Sequence, residues 1–230
     1  MLHISGILKL LKTGTIEKTE RNPFQLSVFI LKMIIILIIF KSVSIGLIFL
    51  LDWLDVFTMP VNINRLRFET ISSTETLLYT SVFAPILEEL SFRLPLRFSK
   101  WNLIVAVMGL SFIFSRVGLE LAWMTSFFIA LVFAVLVLSW ASYTKLERLS
   151  SFWAHHKRLL FYSLLLIFSF LHLKNYNLSL ELFLFSPIVI LPRFLGGLLF
   201  SYIRLSSGIL LAIGVHAFNN GIFRIISMLY

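Results

Sequence analysis

The sequence predicts an all-α, polytopic helical membrane protein with about seven, or eight, transmembrane helices. Of its 230 residues, 59% are hydrophobic and only 13% are charged, whereas soluble domains contain about a quarter of charged residues. The apolar residues form long runs, and a helix needs about 20 such residues to cross the hydrocarbon layer. A chain of this length has room for about seven of these helices in one compact domain.

Residues 1–23 are predicted to form a basic segment at the membrane surface. Apolar residues alternate there with basic ones, which favours a partly amphipathic segment lying against lipid headgroups. Two glycines within it leave a disordered tail as the alternative. No small-residue cleavage site follows a short apolar core, so a cleaved signal peptide is not expected. The basic residues are Lys9, Lys12, Lys18 and Arg21.

Residues 24–230 are predicted to form a single transmembrane domain. Pro187 and Pro192 predict a kink or break in its sixth span, and two short helices there would raise the count to eight. Lys32 and Lys41 lie inside the first span, so they must reach the interface or face other helices. The apolar runs predict spans at 24–51, 76–97, 101–116, 119–141, 158–173, 180–204 and 208–228.

The distribution of Lys and Arg predicts a cytoplasmic N-terminus in a multi-pass protein of the plasma membrane. With that orientation most basic residues fall in inner segments. The net charge of +9 then indicates contact with anionic headgroups, so the expected partners are membrane lipids and not nucleic acid. The outer segments carry only Arg65, Arg67, Arg116 and Lys174.

The first polar motif inside an apolar run is Glu88-Glu89-Leu90-Ser91-Phe92-Arg93. Glu89 and Arg93 are four residues apart, so they share a helix face and can form an ion pair. Glu88 points about 100° away and lacks a partner on its own helix. Such a carboxylate can act as a general base. The alternative is that all three charges lie among headgroups at a helix end.

Two further motifs place imidazoles inside apolar runs. His172 ends the motif Phe168-Ser169-Phe170-Leu171-His172, and a plain interfacial histidine is its alternative interpretation. His216 and Asn220 are four residues apart on one face of the last span. Their alternative role is to hold helices together by hydrogen bonds. The predicted boundaries place His172 near the outer face of the membrane and His216 nearer the inner face.

Together the two carboxylates, the two imidazoles and the amide are the groups needed to activate water and to stabilise an oxyanion. The chain has no cysteine, which excludes thiol nucleophiles and thiolate metal sites. A zinc site formed by Glu88, His172 and His216 is a further alternative, because two histidines and a carboxylate suit Zn²⁺. The cofactor is therefore left open between zinc and a metal-free site.

The order of the three motifs resembles the type II CAAX prenyl endopeptidase and bacteriocin-processing family. The tail from Arg193 through Gly196-Gly197 and Ser207-Gly208 to Asn220 is similar to that family as well. One departure is that two predicted spans, 101–116 and 119–141, separate the first motif from the second. Because two extra spans return the chain to the same side of the membrane, the fifth helix still crosses the membrane in the same direction.

The resemblance implies a peptidase domain over residues 24–230 that hydrolyses a peptide bond of a membrane-bound, prenylated or other, substrate. By that resemblance Glu88 activates water with help from His172, and His216 and Asn220 stabilise the oxyanion. Glu89 and Arg93 match the supporting ion pair. Family members are described both as metalloproteases and as metal-free glutamate enzymes. The rival hypotheses are a non-catalytic membrane immunity or scaffold protein and a transporter.

Overall fold

The computed structural model describes residues 3–63, 71–141 and 143–229. Over these ranges the regular structure is helical, with one isolated antiparallel β-bridge between Asn62 and Tyr176. The predicted all-α class is therefore confirmed. Arg65 and Arg67, which entered the topology prediction, lie outside the described residues.

The chain begins with a short helix that packs against later helices. Helix α1 (Ile4–Thr13) ends at Gly14, whose φ of 70° suits glycine. The backbone of Arg158 also lies where a side chain at Gly14 would stand. The Tyr162 hydroxyl donates a hydrogen bond of 2.8 Å to the Leu11 carbonyl. The N-terminal segment is thus docked on the domain, and its place at a membrane surface stays a prediction.

Helix α2 (Pro23–Trp53) is the longest element. Asn22 and Gln25 form a capping box at its start, with Pro23 in the first turn. Arg21 fixes the chain just before it by donating to the Ser207 hydroxyl at 2.9 Å. The segment preceding α2 is therefore tied to the far end of the chain.

The second predicted span is one helical run interrupted by a wider turn. It consists of α3 (Ser73–Leu78), a π-helical turn (Tyr79–Phe83) and α4 (Ala84–Phe92). A 3₁₀ turn (Leu94–Leu96) ends the run. Pro85 lies in the first turn of α4, and the π turn accommodates its missing N–H.

The two inserted spans form an antiparallel hairpin. Helix α5 (Lys100–Ile113) is extended by a π turn (Phe114–Gly118) and packs along α6 (Trp123–Trp140). The buried residues of α6 are Ser126, Ala130 and Ala134. Small residues four apart allow close approach of two helices in a membrane.

A sharp bend and two prolines divide the helices in the rest of the chain. A sharp bend of 83° separates α7 (Tyr143–His155) from α8 (Lys157–Leu171) and the 3₁₀ turn after it. The predicted break at Pro187 and Pro192 is present, because each proline lies in the first turn of a new helix. The remaining helices are α9 (Leu180–Leu184), α10 (Ser186–Val189), α11 (Leu191–Ser207) and α12 (Ile209–Leu229).

The predicted count of seven or eight spans is not confirmed. Among the described residues, four helices are long and apolar enough to cross a membrane, or five if the bent pair around His156 is one span. The second predicted span carries Glu88, Glu89 and Arg93, and the sixth is divided into two short helices and the 17-residue helix α11. The main core joins α1, α2, α8, α11 and α12 around Leu10, Phe29, Phe161, Leu199 and Ile203.

Candidate active site

A buried ion pair lies at the centre of the candidate site. Arg93 Nη1 is 3.7 Å from Glu89 Oε1, and the two side chains are 1% and 0% exposed. The Arg93 guanidinium lies 3.7 Å from the centroid of Phe168 on α8, which adds a cation–π contact. Gly197 on α11 makes room for it, because a Cβ there would lie 2.8 Å from Arg93 Nη2. The pair that the sequence predicts on one helix face is therefore present and enclosed by α8 and α11.

Glu89 also binds the histidine of the third motif. His216 Nδ1 lies 2.9 Å from Glu89 Oε1. Since a carboxylate only accepts hydrogen bonds, Nδ1 carries the hydrogen of this bond. The His216 ring stacks on Phe200 with a centroid distance of 4.1 Å and an interplanar angle of 17°. Both contacts fix the ring and direct its other nitrogen, Nε2, away from Glu89.

Glu88 is the more accessible of the two adjacent carboxylates. Its side chain is 22% exposed and its Oε2 lies 3.6 Å from His216 Nε2. Consecutive residues of a helix point about 100° apart, so Glu89 turns into the core while Glu88 stays partly exposed. The imidazole of His216 thus lies between two carboxylates, a buried one at Nδ1 and an accessible one at Nε2.

His172 lies at the end of α8, half-buried, and is oriented by its own helix. Its Nδ1 is 2.9 Å from the Phe168 carbonyl. A carbonyl only accepts, so Nδ1 carries a hydrogen and Nε2 is the acceptor of the neutral ring. The His172 ring lies 4.9 Å from the Phe168 ring, which the Arg93 guanidinium covers at 3.7 Å, so His172 lies near the first motif despite the different depths predicted from the span boundaries. No hydrogen bond joins it to Glu88 or His216 in the described part of the chain.

Asn220 contacts the π turn and not the carboxylates. Its Nδ2 donates to the Thr80 carbonyl at 3.2 Å, and its Oδ1 accepts from Asn219 at 3.1 Å. The Thr80 carbonyl lacks a helical donor because the Ala84 N–H bonds Tyr79 and Pro85 has no N–H. Asn220 satisfies this carbonyl with one amide hydrogen, and an amide has two.

Arg193 is a further cation in the helices around the site, and the sequence analysis assigned it no role. It lies half-buried in the first turn of α11, which packs along α8. The proline break places it there, because α11 restarts at Leu191. The sequence signal was an arginine in a predicted membrane span directly after Pro192. The Glu89–His216 bond was also missed, since no spacing rule connects two distant helices.

The candidate zinc ligands are not gathered into one group. Within residues 3–63, 71–141 and 143–229, no group of three or more His, Cys, Asp or Glu side chains is arranged to hold a metal ion. His216 Nε2 lies 3.6 Å from Glu88 Oε2, and His172 Nδ1 is bonded to a carbonyl, which leaves its Nε2 as the free nitrogen. The choice between a zinc site and a metal-free site therefore stays a prediction.

Comparison with known proteins supports the family resemblance. A family model described as type II CAAX prenyl endopeptidase, Rce1-like, matches residues 142–222. This range contains His172, Arg193, His216 and Asn220 but not the first motif. The 2.9 Å bond between Glu89 and His216 connects that motif to the matched part. No curated protein and no solved structure matches the chain.

Proposed function

We propose that this chain, an integral membrane protein whose residues 142–222 match the Rce1-like type II CAAX prenyl endopeptidases, is a glutamate-dependent intramembrane endopeptidase. The family match supports a protease at the level of the family. One observation carries the finer proposal: the accessible Glu88 carboxylate lies beside a histidine that a buried carboxylate holds in place. Two neighbouring carboxylates with different exposure suit two roles. The exposed one can transfer a proton, and the buried one can orient the histidine.

In the proposed reaction, Glu88 is the general base. It removes a proton from a water molecule while the water oxygen attacks the carbonyl carbon of the peptide bond. His172 Nε2, left as an acceptor by the bond of Nδ1 to Phe168, orients the same water. The proton held by Glu88 then passes to the leaving amine, and the peptide C–N bond breaks.

His216 and Asn220 stabilise the oxyanion that forms during the attack. In its doubly protonated form, His216 donates from Nε2, and Glu89 at Nδ1 stabilises the positive ring. Asn220 donates the amide hydrogen that the Thr80 carbonyl does not use. Glu89 and Arg93 are structural partners in this proposal and do not touch the substrate.

The proposed substrate is a membrane-bound peptide or protein, prenylated at its C-terminus or held in the bilayer by other apolar groups. The family match supports the CAAX type, and the exposed apolar surface of the helices supports a site reached from lipid. No step of the proposed mechanism uses a metal.

The decisive experiment replaces Glu88 by Gln in the full chain. The purified protein is incubated in nanodiscs with prenylated and unprenylated membrane peptides, and cleavage is followed by mass spectrometry. A positioned base contributes about 10²–10⁴ in rate, so we expect the Glu88→Gln protein to lose activity by this factor. Glu147→Gln, a change of the same kind on the exposed side of α7, serves as the control and should cleave like the parent.

A non-catalytic scaffold is favoured by one observation, the hydrogen bond of Asn220 to the Thr80 carbonyl. Under that hypothesis the polar residues only hold helices together. Glu88→Gln would then change the folded yield in parallel with any phenotype. A Glu88→Gln protein that folds with the parent yield and cleaves at the parent rate would refute Glu88 as the base.

A further inference from the structure

A cavity of about 370 Å³ lies where the N-terminal segment meets the start of α2 and the end of α11. Helix α2 begins at Pro23 and α12 begins at Ile209, and both helices are long and apolar enough to cross a membrane. A cavity at the ends of two such helices lies at the depth of the lipid headgroups. None of its lining residues has a part in the proposed reaction. They are Lys18, Thr19, Glu20, Arg21, Leu26 and Ser207.

Arg21 is the cation that the fold holds in this cavity. Its Nη1 donates to the carbonyls of Thr19 and Ser206 at 3.2 and 3.3 Å and to the Ser207 hydroxyl at 2.9 Å. Its guanidinium carbon also lies 4.0 Å from the centroid of Phe29 on α2. A guanidinium has five N–H donors, and in the described part of the chain the Arg21 side chain bonds only through Nη1. Arg21 is therefore fixed in place and keeps donors for a ligand.

The end of α11 beside this cavity carries more positive charge than the helix itself requires. Arg97 Nη2 donates to the Leu205 carbonyl at 2.6 Å. Arg204 lies one turn before Ser207, is 9% exposed, and has a buried Nε without a hydrogen-bond partner among the described residues. A helix C-terminus carries the equivalent of about half a negative charge. Neither Arg21, Arg97 nor Arg204 forms an ion pair in the described ranges, so an excess of positive charge remains.

Capping of the helix does not by itself account for this arrangement. Basic side chains commonly bond the last carbonyls of a helix, as Arg21 and Arg97 do here. Lys18 lines the cavity but bonds none of these carbonyls, and it forms no ion pair within residues 3–63, 71–141 and 143–229. A lysine, an arginine and the Ser207 hydroxyl thus line one cavity, which is the composition expected of an anion site.

The lining residues favour a phosphodiester over other anions. A guanidinium binds phosphate oxygens in a fork, an ammonium adds a point charge, and a hydroxyl donates one hydrogen bond. The Glu20 carboxylate lines the same cavity and disfavours a phosphomonoester, whose charge at pH 7 is about −1.5 to −2. A phosphodiester carries a single negative charge. Leu26, in the first turn of α2, adds an apolar side chain that suits the glycerol and acyl part of a lipid.

We propose that the cavity lined by Lys18, Arg21 and Ser207 binds the phosphodiester of an anionic phospholipid. Phosphatidylglycerol represents this class, because its headgroup adds no cation. The choline group of phosphatidylcholine would place a further positive charge beside Lys18. The bound lipid would connect the N-terminal segment to α2 and α11, so it would stabilise the docking of that segment. The proposal does not depend on the peptidase function.

The first test titrates short-chain phosphatidylglycerol or phosphatidylcholine into the full chain in detergent and counts the bound lipid by native mass spectrometry. We expect the parent protein to bind phosphatidylglycerol about tenfold more tightly, the effect of a charge-assisted hydrogen bond. Arg21→Gln should remove this preference, and Lys18→Gln should reduce it. Arg148→Gln and Lys9→Gln, at exposed positions outside the cavity, are the matched controls and should keep it.

Glu20→Gln tests the same site by a gain of binding. The change removes the repulsion between the carboxylate and the phosphate, so phosphatidylglycerol should bind about threefold more tightly than to the parent. Glu147→Gln, on the exposed side of α7, changes the net charge equally and should leave the affinity unchanged. Arg21→Gln also loses the bond to the Ser206 carbonyl and can lower the folded yield. In that case Lys18→Gln and Glu20→Gln, which change exposed side chains, decide the proposal.

Free phosphate is a second source of the same chemistry. Inorganic phosphate is added to the protein in phosphatidylcholine nanodiscs, and its effect on the melting temperature is compared with that of phosphatidylglycerol in the same nanodiscs. We expect the lipid to raise the melting temperature of the parent and inorganic phosphate to leave it unchanged. An equal rise with inorganic phosphate would assign the cavity to a soluble anion and overturn the lipid site.

Three further outcomes would refute the proposal. The first is equal binding of the two lipids to the parent protein. The second is an unchanged preference for phosphatidylglycerol in both Arg21→Gln and Lys18→Gln. The third is a loss of preference in Lys9→Gln as large as in Lys18→Gln, which would show a general attraction to the basic N-terminal segment and not binding in the cavity.

Discussion

Helices α11 and α6 have similar lengths, 17 and 18 residues, and bury their side chains in opposite ways. Every residue of α11 from Gly197 to Ser206 is buried, whereas α6 buries only a stripe of small residues and exposes Phe127, Phe128 and Phe133. Helix α11 is surrounded by α1, α2, α8 and α12, while α6 packs mainly against α5. Charged groups of the site lie beside the enclosed helix, where polar partners replace water.

The largest expected effect that tests this contrast is the loss of Arg93. Arg93→Ala leaves the buried Glu89 carboxylate without its cation, which typically costs about 3–5 kcal/mol. The free energy of unfolding in mixed micelles and the folded yield should both fall strongly. Arg148→Ala on the exposed face of α7 is the control and should change neither. An Arg93→Ala protein as stable as the parent would mean that the pair is not enclosed.

The next effect concerns the close approach of α11 to Arg93. In Gly197→Ala the new Cβ would lie 2.8 Å from Arg93 Nη2 and 2.8 Å from Leu165 Cδ1. Overpacking of this kind costs about 1–3 kcal/mol. At Gly214 on α12 a new Cβ would meet no atom within 4 Å among the described residues, so Gly214→Ala should be neutral or slightly stabilising. Equal stability of the two variants would contradict the tight packing of α11.

A smaller effect concerns the contact of the N-terminal segment with α11. His3 Nδ1 lies 3.1 Å from the Tyr202 hydroxyl, and burial together with the charges of Arg21 and Lys32 holds the pKa of His3 below its usual value. A histidine with a lowered folded-state pKa stabilises the fold above pH 6.5, its usual value, and loses this contribution as the pH falls toward the folded pKa. The melting temperature should therefore decrease from pH 8 to pH 5 more in the parent than in His3→Gln. Equal decreases would show that His3 does not titrate in this contact.

The smallest effect is expected in α6, the exposed helix of the comparison. Phe128 on α6 is 59% exposed, and Phe128→Leu should shift the free energy of unfolding by no more than about 0.5 kcal/mol. Ala130→Leu, two positions along and 2% exposed, should destabilise the α5–α6 hairpin. The pair of variants measures how much of α6 is packed, and a large loss in Phe128→Leu would indicate that another surface covers this face.

The local features of the fold followed from the sequence more readily than the membrane topology. Apolar runs located the long helices, and Pro187 and Pro192 located the break before α11. The number of spans did not follow, because a run of apolar residues does not reveal a π turn at Tyr79–Phe83 or a division into short helices. These breaks arise from local hydrogen bonding that a hydropathy pattern averages out.

The residues of the candidate site could be predicted from the sequence, but the contacts between its helices could not. The spacing of Glu89 and Arg93 indicated their ion pair, and the helical rotation between Glu88 and Glu89 indicated their different exposure. The bond between Glu89 and His216 and the place of Arg193 depend on how α4, α8, α11 and α12 pack. Spacing rules act within one helix, so contacts between helices need the tertiary structure.

The π turn at Tyr79–Phe83 also determines the direction in which the side chains after it point. It holds an additional residue compared with an α-helical turn, so every side chain after it is rotated by about 100° relative to an unbroken helix. The Asn220 amide, on a neighbouring helix, donates a hydrogen bond to the Thr80 carbonyl. This bond stabilises the π turn and the rotation that it causes. The direction in which Glu88 points is therefore determined upstream of the motif, by a single extra residue whose removal would turn the carboxylate toward a different neighbour.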